Sequence, residues 1–250
     1  MCSFSSIRRT VVGLLWLSFA TVAALAQHSG DIGVGHSAAG QLKCRLSDAQ
    51  NPCFEPAVGI GLLTPIPDPT APTSWRATSP GFDANFASDP AQDYFLLDYG
   101  AAIYLVAYED LQPAFRVKYG TTTVHEAGES LPLGSATLHR HVIFVVDCAD
   151  PLYDPLRTLW YGTFSLEDRG STGYADSEPF TLRLSVVECE TGDVDGNGEA
   201  TFADINPFVS VLVDPAAASV AARCGADVNR DGYVTFADVN PFVLLLTQGS

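Results

Sequence analysis

One short pattern occurs twice near the C-terminal end of this chain, and it constrains the fold more than any other feature. The first copy runs Gly192-Asp193-Val194-Asp195-Gly196-Asn197-Gly198-Glu199-Ala200-Thr201-Phe202-Ala203-Asp204. The second runs Asp227-Val228-Asn229-Arg230-Asp231-Gly232-Tyr233-Val234-Thr235-Phe236-Ala237-Asp238. The repeat continues past each copy, with Ile205-Asn206-Pro207-Phe208-Val209 answered by Val239-Asn240-Pro241-Phe242-Val243. A duplication carries more weight than a single motif match, because chance would have to act twice.

The spacing selects a chemistry. Calcium takes about six to eight oxygen ligands at roughly 2.3–2.6 Å, and a loop of about 12 residues offers them from positions 1, 3, 5, 7, 9 and 12. In the first loop these are Asp193, Asp195, Asn197, the Glu199 carbonyl, Thr201 (directly or through water) and Asp204. In the second they are Asp227, Asn229, Asp231, the Tyr233 carbonyl, Thr235 and Asp238. Position 6 must turn sharply, and it is Gly198 in one loop and Gly232 in the other. Magnesium suits such a cage less well, since it keeps more of its water. Two calcium ions are expected, one per loop. A metal-free pair of solvated turns is the competing reading, but so many carboxylates held together without a cation would repel one another.

At every ligand position the segment Gly192–Leu246 resembles the dockerins, and aspartate rather than glutamate at position 12 is one mark of that family. It is most similar to the planctomycete-type variant, in which Asp204-Ile205-Asn206-Pro207-Phe208-Val209 closes the loop. The resemblance implies a tandem EF-hand-type module with one loop and one helix in each half. It implies a partner, a cohesin-like or cell-surface protein, bound through a helix surface, and a link to polysaccharide breakdown or extracellular assembly. Pro207 and Pro241 fall in the first helical turn, where proline is tolerated. Phe208, Val209 and Val211–Val213 would form one apolar face, and Phe242, Val243 and Leu244–Leu246 another. The chain departs from cohesin binders at loop positions 10 and 11. Those dockerins carry Ser/Thr pairs there and Lys or Arg on the helix; this chain has Phe202-Ala203 and Phe236-Ala237, with no basic residue following.

The other end of the chain carries an export signal. Arg8 and Arg9 precede an apolar run from Val11 to Leu25, and Ala24-Leu25-Ala26 offers small residues for cleavage. The run is short of the roughly 20 residues of a membrane span, and Arg8-Arg9-Thr10-Val11-Val12 matches a twin-arginine signal only weakly. Residues 1–26 are expected to leave. The remainder is expected outside the cell, on its surface or in the periplasm, with no further span. The whole sequence holds 13 basic and 29 acidic residues, and losing two arginines makes it more acidic still. Nucleic acid is excluded as a partner, because phosphate binding requires basic clusters. Of six cysteines, Cys2 leaves with the signal. Cys44 with Cys53 and Cys189 with Cys224 are the expected disulfides of an exported protein, and Cys148 is left over.

Between these ends, Gln27–Asp93 is rich in Gly, Pro, Ser and Asp, and Thr64–Pro72 is expected to be an extended surface loop, since each proline removes a donor and fixes φ. From Tyr94 onward, short apolar and β-branched runs bounded by turn residues predict strands at Ala102–Tyr108, Phe115–Tyr119, His139–Val146 and Thr181–Val187. An all-β domain, a sandwich or jelly-roll, is expected over residues 27–190, followed by the small helical double EF-hand module over 191–250.

His139-Arg140-His141 opens one of these strands. Residues two apart in a strand face the same way, so both imidazoles can meet one Zn2+ or Cu2+ ion. His28, His36 or His125 would supply a third ligand, and Asp31 sits near His28 in sequence. Two surface histidines at a strand end are the plainer alternative. No serine elbow, His-Glu-x-x-His or phosphate loop is present. Carboxylate pairs could be drawn from Glu109, Asp110, Glu126 and Asp147, but an acidic chain always offers such pairs. The sequence thus predicts an exported calcium-binding and assembly component whose β-domain takes a ligand such as a glycan. The alternative is a glycan-active or metal-dependent hydrolase with its catalytic domain at residues 27–190.

Overall fold

The computed structural model describes residues 31–46, 61–62, 64–66 and 73–248. The expected signal, His28 and Cys53 lie outside the described residues. The first strands are β1 (Ile32–His36), β2 (Leu42–Leu46), β3 (Gly61–Leu62), β4 (Thr64–Ile66), β5 (Ser74–Ala77), β6 (Phe82–Asp83) and β7 (Ala102–Ala107). They are followed by β8 (Phe115–Tyr119), β9 (Thr122–Val124), β10 (Ser130–Ser135), β11 (His139–Arg140), β12 (Ile143–Asp147), β13 (Leu159–Asp168) and β14 (Phe180–Ser185). Among the described residues α-helices appear only toward the C-terminal end: α1 (Ile205–Val213), α2 (Val220–Ala226) and α3 (Val239–Gln248). The molecule is therefore mostly β.

The strands form three sheets, ordered β11-β6-β1-β2, β10-β7-β13-β14-β3 and β4-β5-β12-β8-β9. Alternation explains their common core. In β8, Phe115 and Val117 are buried while Arg116 and Lys118 between them are half-exposed, and Arg116 reaches Asp150 at 2.8 Å. One apolar cluster joins all three sheets, with Ile32 and Phe82 from the first, Leu105, Trp160 and Phe164 from the second, and Phe115 and Phe144 from the third. Burying each such side chain contributes about 1.5–3 kcal/mol.

Two expectations are corrected here. The run His139–Val146 is not one strand: β11 pairs with β6 in the first sheet, whereas β12 pairs with β5 and β8 in the third. Nor is Thr64–Pro72 loop throughout. Thr64–Ile66 pairs antiparallel with Ser74–Arg76 at the edge of its sheet. An edge position is where a strand tolerates Pro65, because only one side of the ladder has to be hydrogen-bonded.

The C-terminal segment has its own small core of Val194, Phe208, Val211, Ala226 and Phe242. Phe208 and Phe242, equivalent in the repeat, stack with ring centroids 4.2 Å apart and planes 8° from parallel. The Ser219 hydroxyl caps α2 by accepting from the Ala222 amide. Cys189 and Cys224 are joined by a disulfide, and Cys148 is a half-buried free thiol. Cys44 is buried; its expected partner Cys53 is outside the described residues. Among the described residues no helix is long and apolar enough to cross a membrane.

This segment rests on the sheets through its second half. The Thr158 amide donates to the Gly232 carbonyl at 3.2 Å, and the Arg223 guanidinium reaches the Pro155 carbonyl at 3.4 Å. Arg157 lies 4.4 Å over the Tyr233 ring. Arg230 donates to Thr191 Oγ1 and lies beside the Cys189 and Cys224 sulfurs.

Candidate metal centres

Both repeat loops fold around their own carboxylates. In the first, Asp193 Oδ1 accepts from the Gly196 and Asn197 amides and Oδ2 from the Gly198 amide, at 2.9–3.0 Å. Asp195 Oδ1 accepts from the Asn197 amide, and Asn197 Oδ1 from that of Glu199, both at 3.0 Å. Asp204 closes the ring: its Oδ1 accepts from the Val194 and Asp195 amides and its Oδ2 from the Thr201 amide. The second loop repeats the scheme. Asp227 accepts from the Asp231 and Gly232 amides, Asn229 and Asp231 accept from amides two residues on, and Asp238 accepts from the Asn229 and Thr235 amides. Gly198 and Gly232 have φ of 94° and 96°, the turn that position 6 requires.

The loops end in matching capping boxes. Thr201 Oγ1 accepts from the Ala203 amide and Thr235 Oγ1 from the Ala237 amide, while Asp204 and Asp238 take the threonine amides in return. The position 9 threonines thus start the turn leading into α1 and α3, a role that their spacing as ligands did not reveal. It leaves them one lone pair for a cation or a water.

The donor set suits a hard cation. Carboxylate oxygens of Asp193, Asp195 and Asp204 lie within 4.8 Å of one another. Asp204 and Asp238 are 0% exposed and Asp227 1%. Burial pushes the Asp227 carboxyl up to about 7, with the charges of Asp238 and Asp231 adding to the effect against amide hydrogen bonds. Asp238 is raised chiefly by burial as well. In Asp204 burial acts in the same sense, but hydrogen bonds from the Thr201, Asp195 and Val194 amides outweigh it and its pKa is lowered.

Glu199 and Tyr233 occupy position 7, where a backbone carbonyl would serve. Their side chains do other things: Glu199 is exposed and Tyr233 lies under Arg157.

A second cluster lies on the four-stranded sheet. Its members are Asp31, His139 and His141, with one ligand atom from each within 4.8 Å of the others. The break between β11 and β12 keeps the imidazoles together, their centroids 5.1 Å apart. Arg140 between them turns away, donating to the Leu133 carbonyl and covering the Tyr119 ring. Neither described histidine named as a third ligand joins them. His36 stacks on Tyr174 at 4.7 Å, and His125 lies beside Glu126 and Glu129; His28 is outside the described residues. The carboxylate of Asp31 takes that place, brought in by pairing of β1 with β6 that no local pattern signals.

Glu109 and Thr163 share a 2.6 Å hydrogen bond, Asp110 accepts from the Ala127 amide and Asp147 from the Ala149 amide, so these acids serve turns and strand ends. Comparison with protein-family models, curated proteins and solved structures finds no match to this chain.

Proposed function

We propose that this chain is an exported calcium-binding protein in which a sandwich or jelly-roll β-domain carries a dockerin-like double EF-hand module, acting as a binding and assembly component linked to polysaccharide breakdown. The observation that carries the reading is the pair of loops with equivalent amide-to-carboxylate hydrogen bonds, the first of which brings Asp193, Asp195 and Asp204 within 4.8 Å of one another. Asp193, Asp195, Asn197, Thr201 and Asp204 with the Glu199 carbonyl would hold one calcium ion. Asp227, Asn229, Asp231, Thr235 and Asp238 with the Tyr233 carbonyl would hold the other. The ion supplies the positive charge that keeps buried acids such as Asp227 ionised at neutral pH.

The partner surface of this reading is apolar. Phe202 and Phe236, at loop position 10, are 67% and 84% exposed, and Val209, Val213, Val243 and Leu244 continue the same character along α1 and α3. A cohesin-like or cell-surface protein would be engaged through these side chains instead of the Ser/Thr and basic residues of cohesin binders.

Calorimetric titration of the calcium-depleted chain tests the proposal. Two equivalents should bind, with Asp193→Ala and Asp227→Ala each losing one. No heat of binding and no change in thermal unfolding on adding calcium would refute it. Pull-down from the source cell envelope with and without chelator identifies the docking partner.

A further inference from the structure

The strongest feature outside the repeat is the cluster of Asp31, His139 and His141. Asp31 is 2% exposed, and its two oxygens are used unequally. Oδ1 accepts from the Gly81 amide at 2.9 Å. Oδ2 is buried, and no hydrogen-bond donor among the described residues reaches it; it is turned toward His141 Nε2, 3.9 Å away. Leaving a buried carboxylate oxygen without a donor forfeits its solvation with nothing in return, so it calls for a compensating charge.

The histidines are set up for a cation by their other nitrogens. His141 Nδ1 lies 2.7 Å from the Thr78 carbonyl. A carbonyl only accepts, so Nδ1 carries the proton and the lone pair of the neutral ring is on Nε2, the atom facing Asp31. His139 Nδ1 lies 3.2 Å from Asp83 Oδ2. Asp83 is itself buried and oriented, its Oδ1 accepting from both the backbone amide and the side-chain amide of Asn85 at 2.7 Å. The carboxylate likewise assigns the proton of His139 to Nδ1 and its lone pair to Nε2. Tautomer fixing through the second nitrogen by a carboxylate or carbonyl is the arrangement found around histidines that bind metals.

Space is made by the backbone. A Cβ at Gly81 would stand 2.7 Å from His141 Cε1 and 2.9 Å from Asp31 Oδ1, so only glycine lets the two approach. An ion bonding at roughly 2.0–2.1 Å fits between donors 3.9 Å apart, and roughly half an ångström of closure would bring them to tetrahedral spacing. The His139 and His141 side chains are 37% and 32% exposed, so the centre opens to solvent.

We propose that Asp31 Oδ2, His139 and His141 bind one divalent transition metal ion of the zinc class, oriented by Asp83 and the Thr78 carbonyl. Two imidazoles and one carboxylate favour Zn2+ or Cu2+ over calcium, which prefers oxygen alone. The site is separate from the repeat loops and stands whether or not these bind calcium.

The test is titration of the full chain, saturated with calcium, using Co2+ as a spectroscopic probe and Zn2+ as its competitor. One equivalent of Co2+ should bind with visible d–d bands, and Zn2+ should displace it. His141→Ala and Asp31→Asn should each weaken binding at least tenfold, Asp83→Asn about 10–100-fold, and Asp193→Ala not at all. If the alanine variant fails to fold, ring nitrogen resonances of the wild-type chain decide: Nε2 of His139 and His141 should shift on adding Zn2+. Absence of saturable binding, binding unchanged in His141→Ala, or unshifted ring resonances (an imidazolium paired with Asp31 and no metal) would each overturn the proposal.

Discussion

Asp204 and Asp238 hold the same loop position, are equally inaccessible and close their loops with equivalent hydrogen bonds, yet their acidities move in opposite directions. The difference lies in the surroundings. The second loop is pressed against the sheets, where its Gly232 carbonyl takes the Thr158 amide and a Cβ at Gly232 would stand 2.6 Å from the Leu159 carbonyl. At Gly198 a Cβ would meet nothing within 4 Å. Asp227 shares the covered environment, and burial raises it to about 7. Because its folded pKa lies above the ordinary value of 3.8, the metal-free fold binds more protons than the unfolded chain between about pH 4 and pH 7. The contribution of Asp227 to stability is therefore full below that window and is lost as pH rises through it. Calcium binding as proposed would reverse the dependence, since the ion would have to displace that proton. Affinity at the second loop should rise as pH increases from 5 to 7 and level off above, with protons released on binding at pH 6. Calorimetry in buffers of different ionisation enthalpy measures that release, and an affinity flat from pH 5 to 8 would contradict the assignment. The carboxylates that the loop amides hold were legible because a loop places its side chains at fixed spacing. The asymmetry was not, because it comes from β13, some seventy residues away in sequence.

Elements built from local alternation were also legible. Ala102–Ala107 and Phe115–Tyr119 stand almost where their patterns place them. The longest strand, Leu159–Asp168, went unmarked because it is buried at consecutive positions, Phe164 to Leu166, and holds Gly162 in its middle. Burial on both faces erases the period of two. Gly162 is required by packing: a Cβ there would stand 2.7 Å from Leu111 and 2.9 Å from the Phe164 ring. The opening run of β1, β2 and β6 was hidden by its Gly, Pro and Ser content, and with it the position of Asp31. In the helical segment the repeat identified Phe208 and Phe242 as apolar, but their face-to-face stacking is a contact between the two halves. Each half alone lacks a core, so the halves are expected to fold together. Phe242→Ala should destabilise the calcium-loaded segment by about 3–5 kcal/mol and should weaken both calcium sites, the first included. Titration of that variant is the check, and loss confined to the second site would mean that the halves are independent.

Over the whole molecule, the helical segment meets the sheets with α2 and with one of its two loops. Gly232, Tyr233 and Arg223 make the contacts with Thr158, Arg157 and Pro155, while the loop of Asp193–Asp204 is more exposed at its centre. Between them run Val186 to Glu188, after β14 ends at Ser185 and before the disulfide begins at Cys189. The disulfide ties this connection to α2 but spans no part of the sheets, so it cannot hold the two regions together if the chain is cut before Cys189. The second loop then docks the segment together with α2, and what orders that loop contributes to how tightly it docks. If each loop holds calcium as proposed, loss of the second ion would leave Asp227, Asp231 and Asp238 mutually repelling beside the contact, whereas loss of the first would leave the contact untouched. Limited proteolysis in calcium separates the two cases. Asp227→Ala should be cut between Ser185 and Cys189 several-fold faster than wild type, giving two fragments on a non-reducing gel, and Asp193→Ala should be cut at nearly the wild-type rate. Equal rates for the two variants would mean that the contact of α2 through Arg223 suffices to join the regions, and that calcium does not govern the attachment of the repeat.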